Sequence, residues 1–359
     1  MTEQQPFEPD WVSPPGDTIA DALEELKMSQ ADLAQRSGFT RKHINGLIRG
    51  RVAITAEAAL KLEAVLGEPA SFWLRRESHY REALARRTAL VEASDNKAWL
   101  RELPLKWMSQ RGWLPGEAES REDEVAQCLR FFGVASVPAW REACAAPVVA
   151  FRAAPKAKKQ IGAVAAWLRK AHLDAAQIES EPFNKTEFEH ALPELRRLTR
   201  EADPKVFVPR LQQICAGCGV AVVLVPAPPG CPVHGATRWI APDKALLALT
   251  LRYKTNDQLW FSFFHEAGHI LKHGKRLLVI EGLDGVDTEL EEEANRFAAD
   301  LLIPPAAAQQ LRRLRSIAEV DAFAKSIDVA PGIAVGRMQK EGWIDWSKMN
   351  GLKTRYGWT

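Results

Sequence analysis

The chain has 359 residues, of which 46% are hydrophobic and 26% are charged, and its formal net charge is +2. A chain of this length has room for two or three domains, and its composition is typical of a soluble globular protein. The near-zero net charge excludes any argument from overall charge to a nucleic-acid partner, so a signal for one must come from local clusters of basic residues.

The first residues, MTEQQPFEPDWVSPPGD, have neither the basic nor the apolar segment of a signal peptide. The longest apolar stretches, such as GVAVVLVP, are far shorter than a membrane span. The five cysteines are an odd number, and without an export signal we expect them to be reduced. The sequence therefore predicts a cytoplasmic protein with no membrane partner, and residues 1–15 are expected to form a flexible leader.

Residues 16–90 have the pattern of several short amphipathic helices, and two of these predict a helix-turn-helix. Ser29 can cap a first helix, Gly38 can supply the turn, and Thr40 can cap a second helix. The second helix would bury an apolar face formed by Ile44, Leu47 and Ile48. In this architecture the N-terminal part of the second helix enters the major groove of DNA.

Charge supports a DNA-binding role for this pair of helices. Between Leu33 and Arg51 there are five Arg or Lys residues and no acidic residue. Arginine and asparagine suit bidentate contacts to base edges, whereas flanking basic residues suit phosphates. The alternative is a helical bundle whose basic face binds another protein. The candidate contacts to a double-stranded DNA operator are Thr40, Arg41, Lys42, Asn45, Arg49 and Arg51.

From about residue 15 to 84 the sequence resembles the Cro/repressor-type (XRE family) domain of HigA-type antitoxins, notably in RGRVAITAEAAL and FWLRRESHY. The resemblance implies a homodimer that binds its own operator, with Arg41, Lys42 and Asn45 facing the bases, and a toxin as a further partner. Those antitoxins are usually short, whereas this chain has a long C-terminal extension.

Residues 91–205 are helical in pattern, rich in tryptophan and interrupted by prolines, and we interpret them as a connector domain. From residue 206 to 359 the pattern changes to strands followed by helices. GVAVVLVP, ATRWIAP and ALLALTLRY are predicted strands, and they precede a helix over Asn256–His273, an acidic loop and a second helix over Thr288–Leu302. This order favours an α+β domain.

The first of these helices contains His265-Glu266-Ala267-Gly268-His269, an HExxH motif. Residues four apart share a helix face, so His265 and His269 can bind one zinc ion. Glu266 beside them can accept a proton from a water that the ion makes acidic. The alternative is a chance HExxH on an ordinary helix.

The second helix, TELEEEANRFAADLL, offers a third ligand. At 100° per residue, Glu291 lies at the edge of the apolar face, Glu292 points to solvent, and Glu293 lies further round. A carboxylate beside an apolar face is costly unless it is paired or bound to a metal. We therefore predict Glu291 as the third zinc ligand and Asn295 as a residue that holds a ligand in place. The alternative is that all three glutamates are solvated.

Together, TLRYKTNDQLWFSFFHEAGHILKHG and EEEANRFAADLLIP resemble the ImmA/IrrE family of gluzincin-like metallopeptidases. The resemblance implies a small sheet packed on the HExxH helix, zinc held by His265, His269 and Glu291, Glu266 as the general base, and a transcriptional regulator as substrate. The expected fold class is multidomain, with an all-α helix-turn-helix domain, an all-α middle region and an α+β zincin-like (gluzincin-type) metallopeptidase domain.

Three further expectations concern the site. The substrate would add as a strand to a sheet edge formed by ATRWIAP or ALLALTLRY. Tyr253 and His234 are candidates for oxyanion stabilisation, although a structural role is the preferred interpretation of each. His273 is expected to be a helix cap or a surface residue rather than a fourth ligand. The leading hypothesis is a DNA-binding regulator with an active zinc endopeptidase domain, acting in a stress, mobile-element or toxin–antitoxin response. The alternative is a HigA-type antitoxin or repressor whose zinc domain is a non-catalytic sensor or interaction module.

Overall fold

The computed structural model describes residues 13–145, 158–251, 254–274, 279–280 and 288–357. The chain divides into two compact units, Met1–Asp95 and Asn96–Thr359. Most of the expected leader lies outside the described residues. None of the described helices combines the length and the apolarity that are needed to span a bilayer.

The first unit is a bundle of helices around one apolar core. Ile19, Leu33, Ile44, Leu62 and Trp73 are all buried in it, so every helix of the bundle contributes. Within residues 13–95 its helices are α1 (Pro15–Glu25), α2 (Gln30–Ser37), α3 (Arg41–Ile48), α4 (Ala56–Leu66) and α5 (Ala70–Asp95).

The predicted helix-turn-helix is formed by α2 and α3. Ser29 caps α2 in a reciprocal capping box with Asp32, and the Thr40 hydroxyl accepts a hydrogen bond from the His43 backbone N–H at the start of α3. Gly38 ends α2 at φ 73°, a left-handed conformation that glycine adopts without strain. These local signals explain why the sequence predicts both helices.

Burial along α3 follows the prediction except at two positions. Ile44 and Leu47 are buried, but Ile48 and Asn45 are half-buried. Ile48 is the last residue of the helix, and α1 approaches its backbone closely: a Cβ at Gly16 would come within 1.8 Å of the Ile48 carbonyl oxygen.

The second unit begins with short helices that pack around aromatic side chains. Trp99 and Trp140 lie with their rings 5.2 Å apart and edge to face, and Phe132 packs against both. The α-helices of this stretch are α6 (Leu105–Gln110), α7 (Arg121–Phe132), α8 (Val137–Trp140), α9 (Lys158–Ala176), α10 (Lys185–Arg197) and α11 (Pro204–Ala216). Lys97–Glu102 and Leu198–Arg200 are 3-10 turns, and Arg141–Ala145 is a π turn.

A four-stranded sheet follows, with strands in the order β1-β3-β2-β4. The strands are β1 (Val220–Leu224), β2 (Gly235–Ala241), β3 (Lys244–Leu249) and β4 (Val279–Ile280). β3 runs parallel to β1 and antiparallel to β2, and β2 is antiparallel to β4. The three predicted strands are confirmed. β4 lies in the stretch that is expected from the sequence to be an acidic loop. The apolar letters LLVI in that stretch are the local feature that indicates a strand.

The remaining helices complete the second unit. They are α12 (Asn256–Lys272), α13 (Thr288–Leu302), α14 (Pro305–Leu311), α15 (Ile317–Ser326) and α16 (Pro331–Lys340), and Asn350–Leu352 forms a 3-10 turn. The predicted HExxH helix, α12, and the predicted second helix, α13, pack against each other. The fold class expected from the sequence is confirmed: a helical N-terminal unit, a helical middle and an α+β C-terminal region.

The packing does not separate residues 91–205 from the sheet. Phe188 and Leu195 of α10 and Phe207 of α11 lie in the same core as Val222 of β1 and Phe263 of α12. Side chains of the expected connector (91–205) and of the expected peptidase domain (206–359) thus share one apolar core, because α10 and α11 cover apolar residues of the sheet and of α12. The four-part division of the chain stays a prediction.

Candidate metal centre and nucleic-acid interface

Helix α12 is buried along almost its whole length. Apolar residues occur all round it, among them Leu259, Trp260, Phe263, Phe264 and Ile270. A helix that is apolar on every side is stable only inside a core, and here the core surrounds it. The polar side chains that it carries into this core therefore need partners.

The N-terminal end of α12 is held by the C-terminal segment of the chain. The Asn256 N–H donates to the Thr354 carbonyl at 2.9 Å, and the Lys353 ammonium lies 2.6 Å from a carboxylate oxygen of Asp257. Tyr356 packs its ring 5.4 Å from that of Phe207. The segment thus pairs polar groups in the first turn of α12 that burial would otherwise leave costly.

Three side chains from α12 and α13 converge on one point. His265 Nε2 and His269 Nε2 are 2.9 Å apart, and the two carboxylate oxygens of Glu291 each lie 3.3 Å from one of them. Both histidines are buried and Glu291 is partly buried, and their ligand atoms lie within 4.8 Å of one another. This is a donor set that could hold a metal ion.

The other ring nitrogens of the two histidines are also engaged. His265 Nδ1 lies 3.1 Å from the Asn295 amide oxygen, and His269 Nδ1 lies 2.7 Å from His273 Nδ1. An amide oxygen only accepts, so the His265 proton is on Nδ1 and the Nε2 lone pair faces the common point. Lone pairs that face one another at this distance repel unless a cation lies between them, so the arrangement fits a metal ion.

The protonation states of the ligands fit the same role. Burial alone would raise the pKa of Glu291, but its contacts with the imidazoles of His265 and His269 outweigh this and lower it to about 2. Burial also lowers the pKa of His269, partly offset by Glu291. At neutral pH the site therefore offers an ionised carboxylate and a neutral His269, the forms that bind metals.

Glu266 is fully buried and lies against the sheet. The Thr237 hydroxyl of β2 donates to Glu266 Oε2 at 2.5 Å. Gly235, two residues earlier on the same strand, faces the same carboxylate: a Cβ there would lie 2.7 Å from Glu266 Oε1. The strand thus supplies both a hydrogen-bond donor and the space in which the carboxylate sits. Neither Gly235 nor Thr237 was singled out by the sequence, because their contact with Glu266 depends on tertiary packing.

A cavity of about 890 Å³ lies beside Asn295, whose amide oxygen contacts His265. Asn295 and Phe261 line it, and the Phe261 ring lies 6.3 Å from the His265 ring. Its wall also includes Ile333 and Lys340 of α16 and the exposed Trp346. Its volume is within the range of small-molecule pockets.

One expectation about the site is corrected by the structure, and another is met. β3 is not an edge strand, because it pairs with β1 on one side and with β2 on the other. β2 is itself covered at Ala236 and Thr237 by β4. His273 follows the last residue of α12 as its C-cap, which agrees with the expected helix cap. Its side chain is only 4% exposed and contacts Glu293 of α13.

The two oxyanion candidates differ in what the structure says of them. His234 lines the cavity. Tyr253 lies outside the described residues.

The candidate DNA contacts lie on and around α3. Thr40 caps the helix, Arg41 and Lys42 are exposed in its first turn, and Arg49 and Arg51 are exposed just beyond its end. Asn45 is half-buried, with its backbone carbonyl accepting from the Arg49 N–H at 3.0 Å. The cations at the two ends of α3 form a basic surface next to a helix of the length that fits a major groove.

Comparisons with known proteins agree with a candidate nucleic-acid interface in the first unit and a candidate metal centre in the second. Residues 19–73 match the family described as Helix-turn-helix, and residues 244–337 match peptidase family M78, described as IrrE N-terminal-like domain. The HTH-type transcriptional regulator YddM of Escherichia coli (strain K12), itself uncharacterised, is 32% identical over 77 residues, which are 21% of this chain and 82% of that protein.

The first match contains α2 and α3, and the second contains α12 and α13 with all three convergent side chains. The chain therefore belongs, through its N-terminal unit, to the helix-turn-helix family of DNA-binding transcriptional regulators, and it joins that unit to an ImmA/IrrE-like domain of peptidase family M78.

Proposed function

We propose that this protein is a DNA-binding regulator with a zinc-dependent endopeptidase domain that cleaves another regulator protein. The observation that carries the proposal is the convergence of His265, His269 and Glu291 beside the buried carboxylate of Glu266. Two histidines and one glutamate are a ligand set of catalytic zinc sites, which keep one position for water or substrate.

When bound, zinc supplies Lewis acidity, which polarises the scissile carbonyl and lowers the pKa of water to about 7. Glu266 is the general base: its carboxylate takes the proton from the attacking water and passes it to the leaving amine. Thr237 holds that carboxylate through the hydrogen bond to Oε2, and Asn295 holds the His265 ring. The apolar surroundings of α12 exclude bulk water and strengthen these interactions.

The cavity beside Phe261 and Asn295 is the place proposed for the substrate chain. Its wall combines apolar side chains such as Ile333 with side chains of both charges, such as Lys340 and Asp300, so it suits a polypeptide segment with both apolar and polar residues. Lys340 and Trp346 of this wall lie beyond the matched residues 244–337.

The first test is the zinc content of the purified protein. We expect about one zinc ion per chain in the wild type and a marked loss in His265→Ala and Glu291→Ala. Glu292→Ala is the matched control, because Glu292 is exposed on the same helix and removing it takes away the same charge. A folded wild type that binds no zinc would refute the zinc proposal.

A second candidate function is favoured by the complete burial of Glu266. In it, the domain binds metal as a sensor or interaction module, and the protein acts as a HigA-type antitoxin or repressor with a toxin partner. Glu266→Gln separates the two candidates, because it removes the base and leaves the ligands in place. Loss of biological activity with zinc retained supports the peptidase, whereas full activity of Glu266→Gln supports the sensor.

For the N-terminal unit we propose binding to a double-stranded operator as a homodimer in the cytoplasm. Arg41, Lys42 and Asn45 would read base edges, and Thr40, Arg49 and Arg51 would contact phosphates. A dimer suits an operator with two half-sites about one helical turn apart. Analytical ultracentrifugation with and without operator DNA tests the oligomeric state: a single chain per operator would refute the dimer.

A further inference from the structure

His273 lies between a candidate ligand and a second glutamate. Its Nδ1 is 2.7 Å from His269 Nδ1, and its Nε2 is 3.2 Å from Glu293 Oε2. The His273 side chain is 4% exposed, whereas that of Glu293 is 52% exposed. A nearly buried imidazole therefore links the candidate metal site to a carboxylate at the surface.

Only one arrangement of protons satisfies these contacts when His269 binds a metal through Nε2. The Nε2 lone pair is then used, so the His269 proton is on Nδ1 and is donated to His273 Nδ1. His273 Nδ1 must accept, which places its own proton on Nε2, facing the Glu293 carboxylate. Each of the two bonds thus has one donor and one acceptor.

We propose that His273 and Glu293 are positioning residues that select the tautomer and orientation of His269 and so raise the affinity of the site for zinc. This inference rests on the proposed zinc site. A carboxylate that accepts from an imidazole raises the basicity of that imidazole, and here the effect passes through His273 to the ligand. His265 differs, because its Nδ1 partner is the neutral amide of Asn295.

The exposure of Glu293 separates this role from a purely structural one. Exposed ion pairs contribute little to stability, so loss of the Glu293 charge should hardly change the unfolding of the metal-free protein. Zinc affinity should change, because hydrogen-bonding partners of metal ligands affect it about 10–100-fold. Glu292, exposed and adjacent on α13, is a control for the general loss of negative charge.

The experiment is a competition titration of zinc against a chromophoric chelator, with the metal-free full-length protein at constant pH. His273→Phe should weaken zinc binding about 10–100-fold, and Glu293→Gln, which acts through His273, should weaken it at the lower end of that range, about 10-fold. Glu292→Gln should change it less than about 3-fold. His273→Asn should lose less than His273→Phe, because the asparagine oxygen can still accept the proton from His269 Nδ1.

The outcomes distinguish this inference from the proposed function. If the wild type binds zinc but Glu293→Gln and Glu292→Gln have the same affinity, the relay is wrong and the zinc site stands. If the wild type binds no zinc, both are overturned. Equal thermal stability of the metal-free variants shows that an affinity change comes from the site and not from unfolding.

Discussion

The contact between Gly235 and Glu266 allows a test of the site that needs no substrate. An alanine Cβ at position 235 would lie 2.7 Å from Glu266 Oε1 and 2.9 Å from Cγ. Ordinary contacts begin at 3.4 Å, so Oε1 must move by at least 0.7 Å and Cγ by at least 0.5 Å. Both residues are buried, which leaves little room for the movement.

Overpacking of this kind costs about 1–3 kcal/mol of the free energy of unfolding. In a Glu266→Ala background the Cγ, Cδ and Oε1 atoms are absent and the cost disappears. Alanine in place of glycine in a strand should then stabilise the protein by about 0.5–1 kcal/mol. The double-mutant cycle should therefore show a coupling of at least about 1 kcal/mol between the two positions.

The assay is denaturant unfolding of the metal-free protein, followed by tryptophan fluorescence, for the wild type, Gly235→Ala, Glu266→Ala and the double variant. An equal cost of Gly235→Ala in both backgrounds would show that the glutamate does not lie against this strand. For a proven substrate, a displacement near this size would also lower the rate by about 100-fold with zinc retained.

Three other predictions concern metal, DNA and pH. Because the pKa of Glu291 is about 2, its carboxylate stays ionised between about pH 4 and pH 7. Acid should therefore weaken zinc binding only by protonating the two ligand histidines. In isothermal titrations at a series of pH values, the logarithm of the zinc affinity should change with pH by a slope of at most two protons. Arg41→Ala should reduce the free energy of operator binding by about 1–3 kcal/mol and relax the preference for the operator sequence. Arg51→Ala should weaken binding to all DNA sequences alike and reduce the slope of log affinity against log salt concentration by about 1 in a binding assay. Equal losses of sequence preference in the two variants would contradict the assigned roles. Burial raises the pKa of Tyr356 from about 10 to about 12, so its protonated form contributes stability that is complete below about pH 10 and is lost as pH rises to about 12. Tyr356→Phe should reduce the fall in the free energy of unfolding across that pH window by about 2 kcal/mol. An unchanged pH dependence would argue against burial of the phenol.

Local signals explain which parts of the fold the sequence predicts well. The caps at Ser29 and Thr40 and the left-handed Gly38 act within a few residues, so α2 and α3 follow from the printed letters. The helical spacing of His265 and His269 likewise places both rings on one face before any packing is known.

Tertiary packing explains what the sequence does not predict. β4 is only two residues long and exists because it pairs with Ala236 and Thr237 of β2. The central position of β3 depends on a parallel partner more than twenty residues earlier in the chain, and strand propensity carries no information about neighbours.

The sequence by itself determined the helix-turn-helix, the HExxH helix, and Glu291 as the one of three adjacent glutamates that faces inward, because each depends on helical periodicity and local caps. Only the tertiary structure decided that Thr237 and Gly235 hold Glu266 and that His273 links His269 to Glu293. These contacts join residues on different elements, up to 31 positions apart. They form because the apolar faces of α12, α13 and the sheet pack together, and that packing brings polar side chains within hydrogen-bonding distance.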